Sequence, residues 1–195
     1  MTSAKSYKDA ALAERLADRS FRPKEDSTPD FIGEVEKIAE TQAHLCFQCG
    51  TCTGSCPVAP RSNYSIRKFM RRVNLGMKEV CLNDPDLWMC VTCYTCSDRC
   101  PRDLTPTDVI MAMRNLAAER GIVPKNFLGT INNIYKTGHG VPNNDPNRAA
   151  RLKLGLEAEP ETTSKYPEYI PAIRKILEAY GTKQLADRVL AGGQQ

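Results

Sequence analysis

The clearest hydrophobic pattern lies between residues 63 and 80, where apolar side chains recur at helical spacing. They fall on one face, at Ile66, Phe69, Met70, Val73, Met77 and Val80. Basic residues fill the opposite face: Arg67, Lys68, Arg71, Arg72 and Lys78. The pattern predicts one amphipathic helix, whose basic face either contacts solvent or docks an acidic partner.

Two further helices are predicted on either side of this one. Thr28 can cap the first, and Pro29 would occupy its first helical position. Its apolar face would consist of Phe31, Val35, Ile38 and Leu45, and the helix would lead directly into Cys46. The other starts at the cap Thr105-Pro106-Thr107-Asp108 and stops at Gly121. Its apolar residues are Val109, Ala112, Met113, Leu116 and Ala117.

The last third of the chain predicts shorter helices joined by loops. Residues 138–147 are turn-rich, and Asp145-Pro146 can cap a short helix through Leu154. After a polar linker, one amphipathic helix carries Ile170, Ile173, Ile176, Leu177 and Tyr180, and a last helix carries Leu185, Val189 and Leu190. These apolar stripes need a surface to cover, either the rest of this chain or another subunit.

Composition and charge exclude several classes of function. The net charge is only +4 and is spread along the chain, which gives no support for nucleic-acid binding. The N-terminus lacks the apolar segment of a signal peptide, and no apolar run approaches the length of a membrane helix. We therefore expect a cytoplasmic protein without a membrane segment, in a compartment where thiols stay reduced. Cysteines in that setting indicate metal binding and not disulfides.

Eight of the nine cysteines form one pattern that occurs twice. The first run is Cys46, Cys49, Cys52 and Cys56, followed by Pro57. The second run is Cys90, Cys93, Cys96 and Cys100, followed by Pro101. A shift of 44 residues superposes the two runs and also places Ile66 on Ile110 and Phe69 on Met113. The chain therefore contains an internal repeat of a cysteine turn followed by a helix.

Both runs resemble the C-x2-C-x2-C-x3-C-P sequence that binds [4Fe–4S] clusters in bacterial-type ferredoxins. In two-cluster ferredoxins the fourth cysteine of each run binds the cluster of the other run. Carried over to this chain, that rule assigns Cys46, Cys49, Cys52 and Cys100 to cluster 1. It assigns Cys90, Cys93, Cys96 and Cys56 to cluster 2. The expected cofactors are two [4Fe–4S] clusters.

The predicted fold class is mainly α, a helical dicluster ferredoxin-like domain with helical N- and C-terminal extensions. No convincing alternating strand lies between the two runs, unlike in the small β-containing ferredoxins. The expected divisions are a charged arm over residues 1–29, with a faint helical stretch, and the two-cluster domain over residues 30–121. Residues 122–195 would form a helical extension for subunit docking.

Other metal chemistry fits the cysteine runs less well. Zinc ribbons use two cysteine pairs separated by a longer gap, whereas each run here has three cysteines at two consecutive short gaps. A radical-generating cluster needs a C-x3-C-x2-C run, and Ala59 and Asp103 stand where its last cysteine would be required. With all irons bound by cysteine, the clusters can only pass electrons or serve as structure. We find no catalytic residues, no phosphate loop and no G-x-G-x-x-G sequence.

Two residues near the runs have simpler alternatives to a role in redox chemistry. Cys81 is the ninth cysteine and could be a ligand or a redox thiol, but a buried small apolar residue explains it as well. His44 precedes the first ligand by two residues and could donate a hydrogen bond to sulfur. A polar residue at a helix end is the simpler interpretation of His44.

The segments LCFQCGTCTGSCPVAP and LWMCVTCYTCSDRCP, with YSIRKFMRRVNLG between them, resemble the C subunit of soluble heterodisulfide reductase from methanogenic archaea. The resemblance covers about residues 30–125. Cysteine runs of this kind also occur in succinate dehydrogenase iron–sulfur subunits and in glycolate and glycerol-3-phosphate dehydrogenase subunits. This chain lacks the [2Fe–2S] domain of the former and the CCG cysteine-rich repeats often fused in the latter.

The resemblance implies an electron-transfer subunit of an oxidoreductase complex. Its partners would be a flavin- and iron–sulfur-containing, bifurcating A subunit and a CCG-domain catalytic B subunit that cleaves the CoM-S-S-CoB heterodisulfide in methanogenesis. Three alternatives stay open: a related heterodisulfide-reductase-like complex, a flavin dehydrogenase complex, and a free-standing dicluster ferredoxin. Free carriers are usually short and acidic, whereas this chain is basic and has a long cysteine-free segment after its second run.

Overall fold

The computed structural model describes Thr28 and residues 30–191. In chain order its α-helices are α1 (Phe31–Ala39), α2 (Thr51–Gly54), α3 (Ile66–Asn74), α4 (Lys78–Leu82), α5 (Thr95–Asp98), α6 (Pro106–Glu119), α7 (Lys125–Thr137), α8 (Asp145–Lys153), α9 (Ile170–Ala179) and α10 (Thr182–Ala191). Short 3-10 helices lie at Ala43–Leu45, Ala59–Arg61, Pro85–Met89, Thr163–Lys165 and Pro167–Tyr169. The prediction of a mainly α fold is confirmed.

The larger core lies between helices α1, α3, α4 and α6, which pack against one another. Its centre is apolar and fully buried, and includes Phe31, Phe69, Met70, Leu82, Leu87, Ile110 and Met113. The predicted repeat of a cysteine turn and a helix is visible here, because α3 follows the first run and α6 follows the second. This core fixes the two cysteine runs side by side, since the short helices α2 and α5 within them are also in contact.

The predicted helix over residues 63–80 is two helices in the structure. Ser65 caps α3 by accepting a hydrogen bond from the Lys68 N–H at 3.3 Å. The break falls at Gly76, whose φ of +69° lies in the left-handed region that favours glycine. The backbone of Gly76 also accepts a hydrogen bond from the Thr28 N–H at 2.8 Å. The prediction of one continuous helix was wrong because this junction turns the chain before α4.

The predicted basic face of this segment is divided between the interior and the surface. Arg72 is buried, and its Nη1 donates to Asp84 Oδ2 at 2.6 Å. Lys78 is half-buried, forms an ion pair with Glu34 and lies over the Phe31 ring. Placing these two cations on an exposed face was therefore wrong. Arg67 and Arg71 are exposed as predicted.

The first helix is shorter than predicted. It ends at Ala39, because Glu40 adopts a left-handed φ of +49° and the chain continues through a turn to the 3-10 helix. As a result Ile38 and Leu45 are exposed, although the pattern placed both on the buried face. The residue at the N-cap position is Asp30 and not Thr28. The predicted role of Pro29 lies outside the described residues.

Helix α6 begins at Pro106 and ends next to Gly121, as the sequence predicted. Its predicted cap is only partly right. Thr105 occupies the N-cap position, but its buried hydroxyl has no hydrogen-bond partner among the residues that the structure describes. The Thr105 N–H instead donates to Thr41 Oγ1 at 3.3 Å, which connects α6 to the turn after α1.

Helices α7, α9 and α10 form a second packing unit. Its small core contains Val123, Leu128 and Ala186. Helix α7 was not predicted, because its pattern of Phe127, Leu128, Ile131 and Ile134 is interrupted by glycine and asparagine residues. Helix α8 was predicted, but its cap is Asn144, whose side chain accepts from the Asn147 N–H at 3.2 Å, and not Asp145.

Some predictions concern residues that the structure does not describe. The charged arm and its faint helical stretch fall mostly on residues 1–27, and the last four residues follow α10. Over the described ranges, no helix is long and apolar enough to cross a membrane.

Candidate metal centres

The two cysteine runs fold into the same backbone turn. Gln48 and Gly50 have φ values of +63° and +88° in the first run. Thr92 and Tyr94, the residues 44 positions later, have φ values of +50° and +59°. Left-handed backbone is uncommon outside glycine, so its recurrence at equivalent positions marks a shared loop geometry. The internal repeat is therefore structural as well as sequential.

One cavity brings together cysteines from both runs. It is lined by the first three cysteines of the first run, Cys46, Cys49 and Cys52, and by the fourth cysteine of the second run, Cys100. The rest of its wall includes Met70, Pro101, Leu104 and Pro106. This is the set of four thiols that the crossed rule assigns to cluster 1. Four thiols around one apolar pocket form a donor set that suits an iron–sulfur cluster.

The buried phenol of Tyr64 is influenced by one cysteine of each run. The pKa of Tyr64 is raised far above its usual value, first by burial, then by the charge and hydrogen bond of Cys90, and less by the charge of Cys56. Cys56 and Cys90 therefore act on the same buried side chain although they belong to different runs.

Each run leaves one thiol open to solvent. Cys49 and Cys93 are exposed, whereas the other six cysteines of the runs are half-buried or buried. The pKa of Cys49 is lowered chiefly by hydrogen bonds from the Thr51 side chain and backbone. Thr95 lowers the pKa of Cys93 in the same way. Hydrogen-bond donors at these corners favour the thiolate form, which is the form that binds iron.

The inner cysteines have the opposite tendency. Burial is the main cause that raises the pKa values of Cys52 and Cys96. Cys96 Sγ lies 3.1 Å from Thr107 Oγ1, and that hydrogen bond lowers its pKa in partial compensation. The thiolate of Cys96 is also among the causes that raise the pKa of Cys52. Two thiolates close together repel each other, which disfavours the charged form of both. Positively charged iron would offset that repulsion and stabilise the thiolates.

All nine cysteines are free thiols, so the runs contain no disulfide. Over Thr28 and residues 30–191, no three His, Cys, Asp or Glu side chains lie close enough together to hold a single metal ion. A cubane cluster separates its four cysteine sulfurs farther than one ion does. The four thiols that line the first cavity are the number and type of ligand that such a cluster needs.

Cys81 and His44 are structural residues in the fold, which is the simpler of the two interpretations that the sequence allowed for each. Cys81 is completely buried in the larger core, where burial raises its thiol pKa to about 12. It behaves as a small apolar residue. His44 Nδ1 lies 2.8 Å from Glu36 Oε1, so this side chain connects the 3-10 helix to α1.

Sequence reasoning missed Tyr64, Thr107 and Arg114 as residues of the site. Arg114 donates from Nη2 to the Cys90 carbonyl at 2.7 Å, and Thr107 contacts Cys96. The available signal was the repeat itself, since a shift of 44 residues aligns Arg114 with Met70 in the wall of the first cavity. On that basis Arg114, a cation at the position where the first half has a buried methionine, could have been predicted to lie beside the second run.

Comparisons with known proteins agree with this geometry. Residues 42–104 match the family described as a 4Fe-4S dicluster domain, which confirms the prediction of two [4Fe–4S] clusters. The chain is 41% identical to the C subunit of the H(2):CoB-CoM heterodisulfide,ferredoxin reductase of Methanothermobacter marburgensis, over 80% of this chain and 84% of the relative. It is 40% identical to the iron–sulfur C subunit of the CoB–CoM heterodisulfide reductase of Methanopyrus kandleri, over 79% and 84%. The C subunit of the ferredoxin:CoB-CoM heterodisulfide reductase of Methanosarcina mazei is 35% identical, over 78% and 94%.

Proposed function

Because the chain belongs to the family of heterodisulfide reductase C subunits, we propose that it relays electrons inside a heterodisulfide reductase complex. The donor in this proposal is a flavin-containing, bifurcating A subunit. The acceptor is a CCG-domain catalytic B subunit, which reduces the CoM-S-S-CoB heterodisulfide in methanogenesis. Family membership confirms the predicted resemblance and the prediction of an electron-transfer subunit of an oxidoreductase.

The observation that carries the proposal is the meeting of the two cysteine runs. When bound, two [4Fe–4S] clusters accept and donate single electrons. We assign Cys46, Cys49, Cys52 and Cys100 to cluster 1. This assignment is supported by the cavity that these four thiols line together. We assign Cys90, Cys93, Cys96 and Cys56 to cluster 2, supported by the influence of both Cys90 and Cys56 on the pKa of Tyr64. Crossed ligation would hold the two sites close together, as electron relay requires.

A relay also needs two places where electrons enter and leave. Cys49 and Cys93 are the exposed cysteines of the two runs, and each belongs to a different proposed cluster. Exposed apolar side chains flank them at equivalent positions, with Phe47 59% exposed and Val91 60% exposed. We propose that these two corners contact different partner subunits. Apolar residues around a redox corner favour protein contact and exclude water from it.

The C-terminal unit is the proposed docking region of residues 122–195. Helix α9 buries no residue, and it exposes Ile176 by 53% and Tyr180 by 83%. Both belong to the predicted apolar stripe, whose other members are half-buried. The rest of the chain buries this apolar face only in part. The side chains that stay exposed favour contact with a second subunit. We propose that the A or B subunit packs on α9.

Reconstitution under anoxic conditions tests the proposal. The A and B subunits should reduce CoM-S-S-CoB with electrons from the A-subunit flavin only when this chain is present. A Cys96→Ser variant should abolish that coupling, whereas Cys81→Ser, which changes a buried cysteine outside the runs, should retain it. Full activity without the chain would refute the relay. Isolation of the native protein as a lone monomer would instead support a free carrier.

The identity of the primary donor is a separate part of the same experiment. The names of two relatives begin with different donors, hydrogen in one and ferredoxin in the other. Offering each donor separately to the reconstituted complex identifies the one that this chain serves. The rate of heterodisulfide reduction should fall when a free reduced carrier replaces the A subunit. An equal rate without the A subunit would contradict the proposed donor.

A further inference from the structure

The two halves of the repeat differ in charge at two positions beside the cysteine runs, and one of them pairs Arg67, which lines the cavity of the first run, with Met111. A shift of 44 residues aligns Met70 with Arg114. Met70 is fully buried and lines the cavity of Cys46, Cys49, Cys52 and Cys100. Arg114 lies against the second run, where its Nη2 donates to the Cys90 carbonyl at 2.7 Å. Both sites therefore have a guanidinium beside them, but Arg67 at the first site is exposed, whereas Arg114 at the second is half-buried.

The position of Arg114 is fixed by several contacts. Its Nε donates to the Leu87 carbonyl at 3.0 Å, and its guanidinium lies over the Trp88 ring at 5.5 Å. An arginine stays protonated at any working pH, so these contacts hold a permanent positive charge. The side chain is half-buried, and its charge is therefore screened by solvent less than a surface charge would be.

Tyr64 adds a hydrogen-bond donor to the same site. The residue is 2% exposed, its hydroxyl makes no hydrogen bond of normal geometry in the described part of the chain, and the Cys90 side chain is the hydrogen-bonding group that raises its pKa. Buried hydroxyl groups without a partner cost free energy, which makes such a case informative. Cys90 is therefore the cysteine within hydrogen-bonding reach of this hydroxyl. A cysteine sulfur that carries the charge of a bound cluster would accept the missing hydrogen bond.

Charges of opposite effect also lie near both sites, and one of them, Asp108, is half-buried and accepts a hydrogen bond from the Tyr94 hydroxyl at 3.3 Å. Arg67 approaches Gly50 of the first run and is exposed, and its charge is the smallest cause of the lowered Cys49 pKa. Asp98 is an exposed anion near Cys93. Exposed charges are strongly screened by water and salt. Arg114 donates directly to the backbone of the proposed ligand Cys90, whereas Asp108 reaches the run only through the Tyr94 hydroxyl, so we expect Arg114 and the buried Tyr64 to outweigh these charges.

We propose, on the basis of the two-cluster function above, that Arg114 and Tyr64 make the cluster next to Cys90 the more easily reduced of the two. Reduction adds negative charge to an iron–sulfur site. A fixed cation and a hydrogen bond to sulfur favour the reduced form and raise the reduction potential. Electron transfer within the chain is thereby biased toward the second run, because the cluster next to Cys90 holds the electron more favourably. Arg114 and Tyr64 are tuning residues and not ligands.

The test is a redox titration of the full-length, anoxically purified chain, followed by electron paramagnetic resonance. Arg114→Met copies the residue of the first half, and Tyr64→Phe removes only the donor. Each should lower the reduced-to-oxidised ratio of the cluster near Cys90 several-fold at a fixed solution potential, where a tenfold change corresponds to ~59 mV. The potential of the other cluster should stay unchanged. A Cys93→Ser variant identifies which signal belongs to the second run.

Two controls separate tuning from a structural effect. Arg120→Met removes the same charge from an exposed residue just after α6, and it should shift neither potential. Arg114→Lys keeps the cation and should restore most of the lost potential. If iron content stays at the wild-type level and both potentials are unchanged in Arg114→Met and Tyr64→Phe, the inference is overturned while the proposed function stands. A wild-type chain that holds no clusters would overturn both.

Discussion

Cys56 is the residue that distinguishes crossed from uncrossed ligation. It is buried at the end of the first run, yet its charge acts on the same Tyr64 phenol as that of Cys90 in the second run. Its side chain should therefore serve the site of the second run. We expect Cys56→Ala to perturb the same paramagnetic signal as Cys93→Ala and to lower iron below the wild-type content of about eight atoms per chain.

The matched control for this prediction is Cys81→Ala, which removes another buried thiol. Cys81 lies outside both runs and should leave the iron content and both signals unchanged. Perturbation of the signal that Cys49→Ala also perturbs would show that Cys56 serves its own run. That result would refute the crossed assignment without affecting the number of clusters.

Arg72 shows how a charge can be structural at the residue scale. Its guanidinium pairs with buried Asp84 and also lies over the Phe69 ring at 5.7 Å. Arg72→Met removes this closely bound guanidinium from the buried Asp84 carboxylate, whose ion pair with the more exposed Lys68 is longer, at 3.8 Å. Breaking one side of a buried ion pair destabilises a fold by about 3–5 kcal/mol. The midpoint of urea unfolding should fall accordingly.

The neighbouring Arg71 provides the control for that measurement. It is exposed on the same helix, so Arg71→Met should change the free energy of unfolding by less than about 0.5 kcal/mol. Equal unfolding midpoints for the two variants would contradict a structural role for the Arg72–Asp84 pair.

At the scale of elements, Gly76 is the point where the chain divides α3 from α4. A side chain at its φ of +69° is strained, and an added Cβ would lie 2.8 Å from the Thr28 carbonyl oxygen. Strain of this kind costs about 1–3 kcal/mol. We expect Gly76→Ala to lower the free energy of unfolding by that amount, measured by chemical unfolding.

Gly129 offers a test of opposite sign for the same substitution. It lies inside α7 with nothing within 4 Å of an added Cβ. Alanine at an unstrained helical site stabilises a protein by about 0.4–1 kcal/mol, chiefly by restricting the unfolded chain. If Gly76→Ala raised the free energy of unfolding, as Gly129→Ala should, the strain at the α3–α4 junction would be disproved.

The sequence predicted the elements that local chemistry determines. The spacing of apolar residues located α3, α6, α9 and α10, and Pro106 and Gly121 marked both ends of α6. The break at Gly76 was not predictable, because Met77 and Val80 continue the helical apolar spacing and the turn depends on a contact with Thr28. The burial of Arg72 was missed for a similar reason, since its partner Asp84 is remote in the pattern.

The candidate site divides in the same way. The cysteine spacing alone indicated the donors, and the repeat of 44 residues indicated that both halves share one design. Tyr64 and Arg114 depend on how α3 and α6 pack against the runs, which periodicity does not encode. Their effect arises from burial, a property of the folded chain and not of any segment.

For the whole molecule, Trp88 connects the cysteine runs to the C-terminal unit. Its ring lies 5.4 Å from the Phe127 ring of α7 and also stacks on the Arg114 guanidinium. A second connection runs from Arg188 of α10 to the Glu119 carbonyl at 2.9 Å. A protein partner that docks on the C-terminal unit would therefore contact a body packed directly against the residue that we propose tunes the second cluster.

The docking proposal leads to a prediction about the assembled complex. Changing both Ile176 and Tyr180 to serine removes exposed apolar area from α9 and should leave the fold intact, because neither side chain is buried. Iron content should therefore match the wild type. Affinity for the A and B subunits, measured by titration, should fall at least about tenfold, equivalent to ~1.4 kcal/mol.

The control variant carries serine at Lys175 and Ala179 of the same helix, and its affinity should equal that of the wild type. Equal affinities for the two double variants would show that α9 is not the docking surface.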